Sequence, residues 1–179
     1  MLLVYICWLF LNINFPSNLT SSIKVRQLFF ILQDTTSSHH SFQKGMAFMK
    51  NDKLDSSNFY FDKANKEFGK FGMVNRQIDC LNHIGHNNRK QNHFNASEVA
   101  FKEALSLSKA KFGTDHLMTA TCLHNTGMIA NILGDYSTSS QKLHKALEIR
   151  KELMKDNNPT IARNLTELAM VNFGVGNFD

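Results

Sequence analysis

The feature that most constrains this 179-residue chain is an internal repeat with a period of about 42 residues. Segments 81–85, 123–127 and 165–169 lie 42 residues apart, and each places a large apolar residue four positions before a glycine or alanine. A second column repeats at the same spacing, because Phe101-x-x-Ala104 matches Leu143-x-x-Ala146. Equivalent positions that keep the same spacing over several units, here called columns, indicate a chain built of small repeated structural units. Such units stack, because one unit of this size cannot bury its apolar face alone.

Each unit is predicted to be a pair of antiparallel helices. In the best-defined unit, Leu123, Ala130 and Leu133 fall on one stripe of a helix with a period of 3.6 residues. Gly127 lies within that stripe, where glycine costs about 1 kcal/mol relative to alanine, so its recurrence predicts a close approach of the second helix. Nine glycines and two prolines are too few for the frequent turns of a sandwich or barrel. The sequence therefore predicts an all-α fold.

A divergent earlier unit extends the repeats toward the N-terminus at a spacing of 40, with Gly45 matching Gly85 and Phe61-x-x-Ala64 matching the later Phe-x-x-Ala. Residues 36–179 are thus expected to hold about three and a half units. Their expected bounds are 41–72, 73–116, 117–158 and a truncated 159–179 that lacks a second helix.

The first 35 residues form a separate apolar leader. Residues 1–11 are an unbroken apolar run, which is shorter than the roughly 20 residues that span a bilayer as a helix. The run has the length of a signal-peptide core, but no Lys or Arg precedes it and its cleavage site is poor. Three alternatives stay open for this run: a signal peptide or membrane anchor, a disordered leader, or a mis-predicted start of the protein sequence. Residues 23–32 are expected to form a capping helix, and residues 34–41 a linker.

The repeat pattern resembles the tetratricopeptide repeat, which has a small residue midway along its first helix and Gly-x-Tyr at the turn. In its second helix an aromatic residue or Leu stands three positions before Ala. The long unit, the segment Ala146-Leu-Glu-Ile-Arg150 and the loop Phe112-Gly-Thr-Asp-His116 are similar to the kinesin light chain subtype. The resemblance implies a right-handed superhelical solenoid of antiparallel helix pairs, in which the first helices form a concave wall that binds an extended peptide or a short helix.

Side chains of the first helices that point away from their second helices are expected to line this peptide-binding groove. They are Asp79, Asn82, His83, His86, Arg89, Thr121, His124, Asn125, Met128, Arg163, Glu167 and Met170. The resemblance implies that Asn125 hydrogen-bonds a bound peptide backbone. At the same column His83 and Glu167 depart from the family pattern.

The sequence indicates no catalytic or cofactor-binding site. It has no GxxxxGK[ST], GxSxG or HExxH motif. His83 and His86 lack a neighbouring carboxylate or thiolate, so no metal is expected, and Cys80 and Cys122 are expected to be reduced thiols. The net charge of +5 arises from 20 bases mixed with 15 acids. The second helices are rich in Lys and also carry Arg150, and this pattern indicates a solvated face rather than a nucleic-acid site.

We therefore expect a non-enzymatic, cytoplasmic protein–protein interaction module with an adaptor or scaffold role. Two alternatives stay open, namely a regulatory repeat region of a larger enzyme or signalling protein and a secreted or membrane-tethered repeat protein. We also expect weak self-association through the last helix, or a molten C-terminal end, because Leu165, Leu168 and Phe173 lack a second helix to cover them.

Overall fold

The computed structural model describes residues 23–155 and 158–176, with side chains from residue 35 onward. The apolar run at residues 1–11 lies outside the described residues. Within them the chain forms seven α-helices and no strand: α1 Ile23–Lys50, α2 Leu54–Lys70, α3 Val74–Lys90, α4 Phe94–Phe112, α5 Leu117–Ile132, α6 Tyr136–Leu153 and α7 Pro159–Val175. No described helix is long and apolar enough to cross a membrane.

The helices form hairpins that stack in chain order. The α1–α2, α3–α4 and α5–α6 pairs each pack as a hairpin, and α2–α3, α4–α5 and α6–α7 contacts join one hairpin to the next. The first helices α3 and α7 also contact α5 directly, so first helices line one side of the stack. The architecture is an all-α repeat solenoid, as the sequence predicts.

The turn within each hairpin requires a left-handed backbone conformation at one position. Asp52, Asn92 and Gly134 occupy it, with φ of 57°, 61° and 82° respectively. Glycine, asparagine and aspartate are the residues that adopt this conformation most readily. In the third hairpin Asp135 then caps α6, since its Oδ1 accepts a hydrogen bond from the Thr138 amide at 3.0 Å.

Glycines in the first helices allow the second helices to approach closely. A Cβ atom placed on Gly85 would lie 2.4 Å from Cε1 of Phe101, and one on Gly127 would lie 2.8 Å from Cγ of Leu143. Both of these partner side chains are completely buried. The predicted packing reason for the glycine column is confirmed.

A serine column adds a hydrogen bond to the same contact. Ser57 Oγ donates to the carbonyl of Gly45 at 2.9 Å, and Ser97 Oγ donates to the carbonyl of Gly85 at 2.8 Å. Ser139 holds the equivalent position in the third hairpin, but its buried Oγ has no partner among the described residues. Each bonded serine ties a second helix to the backbone of its first helix at the point of closest approach.

The linker expected at residues 34–41 is wrong, because α1 runs through it without a break. Two serines of this stretch form hydrogen bonds within the helical structure. Ser38 Oγ donates to the carbonyl of Thr35 at 2.8 Å, and Ser41 Oγ donates to Glu67 Oε2 on α2 at 3.3 Å. Ser38 and Ser41 are also buried, so this stretch of the helix packs against the rest of the fold.

Candidate functional site

The predicted groove residues lie on the first helices α3, α5 and α7, at three different depths. The exposed members are Thr121, Arg163 and Met170. The half-buried members are Asp79, Asn82, His83, His86, Arg89 and Glu167. The buried members are His124, Asn125 and Met128.

The three buried members all belong to α5, the central first helix. His124 and Asn125 are each 4% exposed and Met128 is 8% exposed, so they form the floor beneath the surface rather than an open wall. The reason is the position of α5, which contacts α3 and α7 on its two sides and packs against α4 and α6. Helical spacing gives the direction of these side chains but not how closely the neighbouring helices cover them.

Two asparagines link neighbouring first helices in this floor. Asn125 Nδ2 donates to Asn82 Oδ1 at 2.9 Å, and Asn82 Nδ2 lies 3.9 Å from Cys122 Sγ. The amide that the resemblance assigns to a peptide backbone therefore bonds another side chain in this structure.

Two histidines of α3 pack against aromatic rings. The His83 ring stacks on Phe61 with centroids 4.7 Å apart, and His86 meets the edge of Phe101 at 5.1 Å. Burial lowers the pKa of His83. The pKa of His86 falls to about 4 because of burial first and the nearby charge of Arg89 second.

A positively charged cluster occupies the C-terminal half of the inner side. Burial, followed by the charges of Arg150 and Arg163, lowers the pKa of His124 to about 4. Both His124 and His86 are therefore neutral at pH 7. The inner surface owes its positive charge there to arginines rather than to histidines.

Arg150 belongs to this cluster, although its sequence surroundings predict a surface residue. It was expected on a solvated face, but it is 4% exposed, and burial together with Arg163 lowers its pKa to about 10. Its Nη1 donates to Asn164 Oδ1 at 2.8 Å and to the carbonyl of Thr160 at 3.3 Å. Asn164 stands at the column that holds Cys80 and Cys122 in the earlier units, so this change from thiol to amide was the available signal.

One acid lies among these arginines. Burial raises the pKa of Glu167, while the charges of Arg89 and Arg163 act in the opposite direction. The cluster holds three arginines, Arg89, Arg150 and Arg163, and one acid, Glu167, so it carries a net positive charge.

Two nitrogen atoms of this cluster, Arg89 Nε and His124 Nδ1, are buried and have no hydrogen-bond partner among the described residues. Such atoms are uncommon unless a ligand or water satisfies them.

Metal-ligating and nucleophilic side chains are not grouped into a site in the described part of the chain. It holds no set of three or more His, Cys, Asp or Glu side chains suited to a metal ion. Cys80 and Cys122 are buried free thiols. Burial raises the pKa of Cys80 to about 12 and that of Cys122 to about 11, so both are protonated at neutral pH.

Comparison with known families places a repeat model on the central part of the chain. Residues 77–152, which extend from α3 to the end of α6, match the model of the tetratricopeptide repeat family. No curated protein matches this chain in sequence.

Solved structures share the fold at low sequence identity. BtubC (BKLC) from P. vanneervenii is 17% identical with a TM-score of 0.71, over 79% of this chain and 57% of that protein. The apo form of RapI is 19% identical with a TM-score of 0.74, over 81% of this chain and 39% of RapI. A putative kinesin light chain of P. anserina with nearly identical repeats is 8% identical with a TM-score of 0.67, over 78% of this chain and 67% of that one. This chain thus spans little more than half of BtubC and well under half of RapI.

Proposed function

Residues 77–152 match the tetratricopeptide repeat model, and this fold indicates a protein-interaction module, for which we propose a specific role. The chain is a non-catalytic adaptor or scaffold that binds a peptide of a partner protein along the inner surface of α3, α5 and α7. The two buried free thiols favour a reducing compartment, and we assign the module to the cytoplasm.

The observation that carries this proposal is the polar inner surface around Arg89, His124 and Arg163. It combines a net positive charge with two buried polar atoms, Arg89 Nε and His124 Nδ1, that have no partner among the described residues. Arg163 is exposed and can contact a ligand directly, and the charge of the cluster attracts an anionic one. A peptide with carboxylate side chains suits this surface best.

Binding is tested with fluorescently labelled peptide pools of matched length that are acidic, neutral or basic, measured by anisotropy against the full chain. We expect the acidic pool to bind most tightly. Arg163→Glu should weaken that binding by at least about tenfold, since it reverses an exposed charge in the cluster.

Lys151→Glu is the matched control, because Lys151 is an exposed base on the second helix α6. It makes the same change in net charge outside the inner surface, so it should leave the affinity nearly unchanged. Equal effects of the two substitutions, or no preference for the acidic pool, would contradict the proposed binding surface.

A further inference from the structure

Glu167 is a half-buried carboxylate on the inner surface. It forms no ion pair and accepts no side-chain hydrogen bond within the described part of the chain, and the same holds for the two arginines that act on it, Arg89 and Arg163. Elsewhere opposite charges on neighbouring helices do pair, since Lys90 Nζ lies 2.6 Å from Asp52 Oδ1. Three charged side chains of the inner surface are therefore left without a direct partner in the same region.

The spacing of two of these groups would allow them to pair. Arg163 and Glu167 lie four residues apart on α7, so they share one face of the helix, about 6 Å apart along its axis. At the same spacing on α2, Lys66 Nζ lies 2.6 Å from Asp62 Oδ2. On α7 the base is exposed and the acid is half buried instead, so the inner surface presents an acceptor and donors that do not neutralise each other.

The corresponding position is tied down at the preceding junction between repeats. Glu167 stands at the column of Asn125, and His124 stands at the column of Asn82. Asn125 Nδ2 donates to Asn82 Oδ1 at 2.9 Å, whereas no hydrogen bond joins Glu167 to His124, whose Nδ1 has no partner among the described residues. The junction of α5 with α7 thus leaves a carboxylate available where the junction of α3 with α5 holds a bonded amide.

We propose that Glu167 determines which acidic segments bind to the inner surface, by pairing with a basic side chain of the partner. This inference rests on the peptide-binding role proposed above. The partner segment carries acids that meet Arg89 and Arg163, together with one Lys or Arg that meets Glu167. A segment with acids alone would bring a further carboxylate toward Glu167, and like charges brought together across an interface oppose binding.

The surroundings of Glu167 suit a basic side chain with a long stem. Lys and Arg place an apolar stem along a partly buried path and their charge at its end. Burial raises the pKa of Glu167, and the charges of Arg89 and Arg163 lower it. A further positive charge supplied by the partner would favour the ionised carboxylate in the same way as these arginines do.

Peptide pools of matched length test the pairing by fluorescence anisotropy against the full chain at neutral pH. The first pool has acidic residues and one Lys at a randomised position, and the second has Gln in place of that Lys. General attraction to a positive cluster favours the Gln pool, because its peptides are more negative. Pairing with Glu167 favours the Lys pool, which we expect to bind about three- to fivefold more tightly.

A conservative substitution assigns this preference to one residue. Glu167→Gln keeps the size of the side chain and removes its charge, so the Gln pool should then bind at least as tightly as the Lys pool. Glu152→Gln is the matched control, because Glu152 is an exposed acid on the second helix α6. It makes the same change in net charge outside the inner surface and should leave the preference for Lys intact.

The outcomes separate this inference from the proposed function. A preference for Lys that is lost in Glu167→Gln and kept in Glu152→Gln would support the pairing. Binding of both acidic pools without a preference for Lys would overturn this inference and leave the proposed function standing. A preference that persists in Glu167→Gln would also overturn it, because another acid must then receive the base. If neither acidic pool binds, the proposed function fails and this inference fails with it.

Discussion

Replacing Gly85 with alanine tests the close approach of helices on which each hairpin depends. The new Cβ would lie 2.4, 2.6 and 2.7 Å from three ring carbons of Phe101. That ring is fully buried and packs in one cluster with Met128 and Ile129. It has to move by about 1 Å to reach normal contact, and overpacking of this kind costs about 1–3 kcal/mol.

Helix propensity acts in the opposite direction, because alanine is favoured over glycine inside a helix by about 1 kcal/mol. We therefore expect Gly85→Ala to lower the free energy of unfolding by up to about 2 kcal/mol. Gly69→Ala provides the matched control. A Cβ there meets the flexible amide end of Gln77 at 2.8 Å, which swings away at little cost, so this variant should be neutral or stabilised by up to about 1 kcal/mol.

The measurement is urea unfolding of the full chain followed by circular dichroism at a helical wavelength. Gly69 lies in the last turn of α2, where alanine gains less helix propensity than at Gly85, so the difference between the two variants gives a lower limit on the steric cost of about 1–3 kcal/mol. A Gly85→Ala protein as stable as Gly69→Ala would refute the reasoning.

Two further predictions follow from buried polar groups. The pKa of His124 is about 4 in the folded chain against about 6.5 when unfolded, so the unfolded state takes up the proton first. Stability should fall as the pH drops from about 6.5 to 4, and His124→Gln should reduce that slope in urea titrations at a series of pH values. Ser97→Ala removes the bond to the Gly85 carbonyl and should cost about 1–2 kcal/mol. Ser139→Ala, at a position whose Oγ has no described partner, should cost clearly less in the same assay, and equal losses would contradict the role of this bond.

The repeat architecture was predictable because equivalent positions of successive units hold residues of similar size. The glycine column, the turn at Gly134 and the start of α7 could be predicted because few other residue types fit these positions. At that start Asn158 Oδ1 accepts from the Thr160 amide at 2.9 Å, just before Pro159 at the first turn. The serine column was equally visible, since Ser57, Ser97 and Ser139 follow the same 40- and 42-residue spacing.

Features that depend on neighbouring elements were not predictable in the same way. A helical stripe fixes where Asn125 points, but its burial depends on how near α3 and α7 lie. The composition of residues 34–41 favours a loop, whereas contacts with α2, such as the bond from Ser41 to Glu67 and the packing of His39 on Phe68, depend on the neighbouring helix. Arg150 has the sequence surroundings of a surface residue, and its burial follows from the acceptor that Asn164 supplies.

The environment of Arg150 affects how the inner surface responds to salt. Mobile ions screen exposed charges over about 8 Å at physiological ionic strength but reach buried charges far less. Arg163 is exposed, whereas Arg150 is shielded from solvent and is held by an amide and a carbonyl oxygen rather than by a carboxylate. If an acidic peptide binds as proposed, added salt should therefore reduce the contribution of Arg163 to its affinity more than that of Arg150.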